Sequence, residues 1–139
     1  MRRYAFLGAL LLSLALVAPV QAASPSTWVA TVKGGGFTGT VTVTAATSTT
    51  SARLAADLTG LTPQTMASLS VYGGPVGTDV HLVVRTRWVG RFDGGRWHVS
   101  VALTPQMAAW LPFEVAHRGG LHVTLVQAGR RTSAALSGK

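Results

Sequence analysis

The chain has 139 residues and no cysteine. Disulfide staples and thiolate chemistry are therefore excluded, and no lipid anchor on an N-terminal cysteine can form. Whatever fold the chain adopts must be held by packing. Acidic residues are nearly as scarce, being only Asp57, Asp79, Asp93 and Glu114. Paired-carboxylate glycoside cleavage finds too little material here. Asp93 is explained as a turn residue, and Asp57 as an outward position beside Arg53. Lysine is limited to Lys33 and Lys139. No G-x-S-x-G elbow occurs. Gly34-Gly35-Gly36 is not closed by GK[ST] or followed by a helix, so it reads as a turn and not a phosphate loop. The histidines are His81, His98, His117 and His122, with no two at i, i+2. Only His117 and His122, flanking Arg118-Gly119-Gly120, are spaced to approach across a turn. No catalytic residue, metal set or cofactor is expected.

What is present is positive charge. The formal net charge is +8, carried almost entirely by arginine. Such a balance fits anionic polysaccharide, anionic lipid headgroups or extracellular DNA as partners. The low lysine, with high alanine, glycine and arginine, equally fits a GC-rich coding sequence.

Residues 1–22 read as a signal peptide. Arg2 and Arg3 precede an apolar run over 5–18, and Val20-Gln21-Ala22 supplies the small residues of a cleavage site. The run is shorter than the ~20 residues a spanning helix needs, so cleavage after Ala22 and no membrane span in the mature chain are expected, with an uncleaved membrane anchor as the alternative. The Arg-Arg pair leaves twin-arginine export open beside the general route. The protein is expected to be periplasmic, on the cell surface or extracellular. Residues 23–27 form a linker, and 28–139 a single domain.

That domain alternates with period two over most of its length. Strands are expected over 28–32, 37–45, 52–58 and 66–72. In 37–45 the threonines Thr38, Thr40, Thr42 and Thr44 share one face. In 52–58, Leu54, Ala56 and Leu58 point inward. Residues 80–103, VHLVVRTRWVGRFDGGRWHVSVAL, read as one long β-hairpin about Asp93-Gly94-Gly95. A two-residue loop puts Trp88, Phe92, Trp97, Val99, Val101 and Leu103 on one face. Arg85, Arg87, Arg91, His98 and Ser100 then take the other, with His98 opposite Arg91. A second hairpin turns about Gly129-Arg130, pairing Leu125 with Ala134 and Val123 with Leu136. One short helix is expected near 105–111, capped by Thr104, opened by Pro105 and stopped by Pro112. Its Met107, Trp110 and Leu111 are spaced to cover an open end of the fold. Leu61-Thr62-Pro63-Gln64 and Leu103-Thr104-Pro105-Gln106 repeat four letters and are expected to make the same strand-exit turn. The fold class is all-β, an antiparallel β-sandwich of about seven to eight strands.

The succession GTVTVT (39–44), LAADLTGLTPQTMASLSVYGG (54–74), GGRWHVSVALTPQMAAWL (94–111) and GGLHVTLVQAGRRTSAALSG (119–138) resembles the chordin-type CHRD domain. The resemblance covers most of 37–138. It implies a secreted β-sandwich related in shape to the copper/zinc superoxide dismutases. The family's histidine positions are not matched. Ser70-Val71-Tyr72 stands where the family has H-I-H, and Val123-Thr124-Leu125-Val126 where it has V-N-V-H. The resemblance therefore carries the fold and not a metal site.

The best candidate site is the basic face, with Arg85, Arg87, Arg91 and His98 as an anion-binding set. The expected function is an exported, non-catalytic binding or structural module. A degenerate dismutase-like metal-binding protein or enzyme is the alternative, and a homodimer through a sheet edge a third possibility.

Overall fold

The computed structural model describes residues 27–46, 51–89 and 93–139. Eight antiparallel strands form one curled sheet, a half-barrel. In chain order they are β1 (Thr27–Gly34), β2 (Phe37–Thr44), β3 (Arg53–Thr59), β4 (Ala67–Gly73), β5 (His81–Trp88), β6 (Trp97–Ala102), β7 (Leu121–Gln127) and β8 (Arg130–Gly138). Helix α1 (Pro105–Arg118) joins β6 to β7. The spatial order is β5-β4-β7-β8-β1-β2-β3-β6. The all-β antiparallel expectation holds.

Period-two alternation fills the hollow of the curl. Ala30, Val32, Val41, Val43, Leu54 and Leu58 from one half meet Leu69, Val71, Val123 and Leu125 from the other, all at most 2 % exposed. Burying a valine or leucine side chain contributes about 1.5–3 kcal/mol, which is how a chain without disulfides holds together. Gly39, at φ +147° on β2, sits where no side chain fits. A Cβ there would run into the Asp57 carbonyl oxygen of β3.

The long hairpin over 80–103 does not form. β5 pairs with β4 from Ala67↔Trp88 to Gly73↔His81, and β6 pairs with β3 from Arg53↔Ala102 to Leu58↔Trp97. The two arms are thus the two opposite edges of the sheet. The turn itself is real but local. Arg96 donates its amide to the Asp93 carbonyl at 2.9 Å across Gly94-Gly95, both at positive φ. The face assignment survives the loss of the hairpin. Trp88, Trp97, Val99 and Val101 are half-buried and Leu103 buried, while Arg85, Arg87, His98 and Ser100 are exposed. Trp88 and Trp97 stack with centroids 3.5 Å apart and planes at 9°, where the two edges come together. Phe92 and Arg91 lie outside the described residues. Alternation fixes which way a side chain points, but any strand can satisfy any other's backbone groups.

The β7–β8 hairpin exists with a shifted register. Its two-residue turn is Ala128-Gly129, both at positive φ, so Val123 faces Ala134 and Leu125 faces Thr132. That turn type matches the strand twist, and glycine takes its second central position.

Helix α1 outruns its expected end. Thr104 caps it, its Oγ1 accepting from the Met107 amide at 3.2 Å, and Pro105 opens it as expected. Pro112 does not stop it. Proline forfeits one backbone bond and crowds the preceding turn, but its ring lies on the exposed side, and the helix runs on to a left-handed cap at Gly119. The two Leu-Thr-Pro-Gln tetrads also part company. Both leucines are buried, but Gln64 adopts φ +58° in a turn, whereas Pro105-Gln106 begins the helix.

Candidate functional site

The outer face of the β5-β4-β7-β8 half carries three rows read across the strands. They are Leu82–Tyr72–His122–Ala135, Arg85–Ser70–Thr124–Ser133 and Arg87–Ser68–Val126–Arg131. Arg85 and Arg87 stand on the edge strand β5, two residues apart and so on one face. Arg85 is braced, its Nε donating to Ser70 Oγ at 3.1 Å and its Nη2 to the Tyr72 hydroxyl at 2.9 Å. Both acceptors are neutral, so the guanidinium keeps its charge. Arg131 closes the third row three strands away, roughly 14 Å from β5 by strand spacing.

His98 is not part of that edge pairing. It lies on β6, the opposite edge, opposite Asp57 in register and with its Nδ1 3.8 Å from an Asp57 carboxylate oxygen. Asp57 is held by Arg96, Nε to Oδ1 at 3.0 Å and Nη2 to Oδ2 at 2.7 Å. The hydrogen bond from Arg96 lowers the Asp57 carboxyl below its ordinary range. Arg53, expected beside Asp57, instead donates to Ser100 Oγ at 3.0 Å.

Sequence reasoning missed the polar cluster at the centre of the first half. After β4, residues 74–80 fold back over the outer face and bring Asp79 onto β7 and β8. His122, fully buried, donates from Nδ1 to the Gly74 carbonyl at 2.8 Å and places Nε2 2.5 Å from Asp79 Oδ1. Asp79 Oδ2 accepts from Thr124 Oγ1 at 3.1 Å and from Arg131 Nη2. Thr124 Oγ1 also lies 2.9 Å from Ser133 Oγ, and the Tyr72 ring stacks on His122 at 5.4 Å. Burial pushes the Asp79 carboxyl up, but the hydrogen bonds from His122 and Thr124 and the charge of Arg131 outweigh it and hold the carboxyl below its ordinary value. Both ring nitrogens of His122 face oxygen acceptors, and neither reaches Ser133. The cluster fastens the loop, since His122, Thr124 and Arg131 all converge on Asp79. A hint was in the sequence: Gly73-Gly74-Pro75-Val76-Gly77 marks a loop able to double back, and only such a cover buries an outward histidine.

Histidines do not converge. His117 sits on α1, Nδ1 2.9 Å from the Phe113 carbonyl, while His122 lies under the loop. Among the described residues no three histidine, aspartate or glutamate side chains group as metal ligands. Glu114, buried on α1, packs against Gly73 with its Oε2 3.5 Å from Arg118 Nε and without a hydrogen bond.

The charge balance follows. Three of the four carboxylates are taken up inside the molecule, Asp57 by Arg96, Asp79 by Arg131 and Glu114 by Arg118. Among the described residues Lys33, Arg53, Arg85, Arg87, Arg130 and Lys139 have no carboxylate partner. The fold is an antiparallel half-barrel, and two of these unpaired cations, Arg85 and Arg87, stand on its β5 edge. No family model matches the sequence, and no curated protein matches it.

Proposed function

We propose that this chain is an exported, non-catalytic binding module of CHRD-like β-sandwich type that holds anionic partners at the arginines of β5. The sandwich reading treats the curled sheet as two facing halves, β5-β4-β7-β8 and β1-β2-β3-β6. In its support, the halves share one core, and among the described residues they are laddered together at Trp28↔Gly138 and Val29↔Ser137 alone. The anion reading rests on one observation. Arg85 is pre-positioned by Ser70 and Tyr72 without losing its charge, and Arg87 beside it has no partner among the described residues. Pre-positioned guanidinium forks bind phosphate, sulfate or carboxylate at little further entropic cost. Arg91 belongs to the same proposal through the sequence. His98, facing Asp57, does not.

The test is binding to a sulfated polysaccharide, to phosphatidylglycerol vesicles and to duplex DNA across a salt series. Wild type should lose affinity as salt rises, and R85S/R87S should bind about tenfold more weakly. Affinity indifferent to both salt and substitution overturns the proposal.

A further inference from the structure

Helix α1 turns an uncharged, apolar side to water. Trp110 is 46 % exposed and Phe113 42 %. Their rings meet edge to face at 5.2 Å, and Phe113 stacks on His117 at 4.1 Å. Positions 110, 113 and 117 follow the i, i+3, i+7 rule, so the rings make one stripe. Ala109, Pro112 and Ala116 are exposed beside it. The helix has only two full charges, Glu114, which is turned into the body, and Arg118, which lies against Glu114. A water-facing helix surface ordinarily carries charged residues, and a contiguous apolar stripe marks a docking surface.

Charge points to the occupant. The formal net charge is +8 for the whole sequence and +6 without Arg2 and Arg3 of the expected signal peptide, and three of the four carboxylates are already taken up by Arg96, Arg131 and Arg118. A partner for this stripe must accept aromatic rings that offer few hydrogen bonds, and the positive charge of the molecule as a whole favours a negative one. An anionic bilayer surface does both, because tryptophan and phenylalanine settle at the headgroup boundary while guanidinium groups meet lipid phosphates. We propose that α1 seats the protein on anionic lipid, with Trp110 and Phe113 entering the headgroup region. The inference names the partner of the reading above and rests on it for the sign of that partner's charge.

The test uses the full chain with phosphatidylglycerol-containing and purely zwitterionic vesicles, following flotation and tryptophan fluorescence with brominated lipid as quencher. On anionic vesicles the emission should shift to the blue and be quenched. W110F should bind but lose most of that change, which assigns it to Trp110 and not to the N-terminal apolar run. W110S/F113S should partition at least tenfold more weakly and bind sulfated polysaccharide unchanged. R85S/R87S should weaken both. Partition of W110S/F113S equal to wild type overturns the proposal, as does a Trp110 that stays unquenched on bound protein. Equal partition into zwitterionic vesicles, or self-association of wild type that W110S/F113S abolishes, overturns it too. If arginine-dependent polysaccharide binding persists in any of these cases, the anion-binding reading stands without the lipid one.

Discussion

On β1, β2 and β3 the outward positions Thr31, Thr38, Thr40 and Thr59 are exposed, while on β4 and β7 the outward positions Ser70, Tyr72, His122 and Thr124 are buried. Both sets arise from the same alternation of side chains. In the first half the hydroxyls meet water or each other, as in the 2.6 Å contact between the Thr38 and Thr59 hydroxyls. In the second, residues 74–80 lie over the face, and every buried polar group there has a partner from the loop or a neighbouring strand. A sheet face is therefore solvent or interior according to the connection above it, and a buried polar face demands a closed hydrogen-bond network.

That contrast is open to attack, most strongly at His122. His122→Ala strips Asp79 and the Gly74 carbonyl of their buried partner and should cost about 3–5 kcal/mol, read as a lower urea midpoint. A midpoint near wild type would show that the loop does not depend on the cluster. Asp79→Asn keeps the shape but loses the charge opposite Arg131, and should cost about 1–3 kcal/mol by the same measurement. The acid limb should follow. Folding holds the Asp79 carboxyl below its ordinary value of 3.8. Its contribution is therefore complete above that value and is lost as pH falls through the lowered folded-state pKa. Stability measured downward from pH 5 should drop in wild type and drop less in Asp79→Asn; parallel curves would remove Asp79 from the acid response. At the small end, Thr40→Val on the bare face should stay within about 0.5 kcal/mol. A loss of several kcal/mol there would mean that this face, too, is covered.

Much of the fold was legible in particular residues. Leu54, Ala56 and Leu58 point inward as their spacing indicates, and Trp88, Trp97 and Leu103 take the inner side of their strands. Thr104 and Pro105 mark the start of α1 because capping is a local affair of a few atoms. The site was less legible. Arg85 and Arg87 are outward as expected, but their bracing by Ser70 and Tyr72 joins residues 15 and 13 apart through a pairing that no local pattern specifies. Asp79 and His122 are 43 residues apart and meet only because residues 74–80 double back.

The inward side of each strand was set by the sequence alone, because alternation is built into the covalent geometry of an extended chain. The partner of each strand was not. Backbone amides and carbonyls are chemically alike along the chain, so β5 and β6 could have bonded each other but bond β4 and β3 instead. That choice, like the burial of His122, belongs to the tertiary structure, where the filling of one shared core and the path of the loops select among pairings that are locally equivalent.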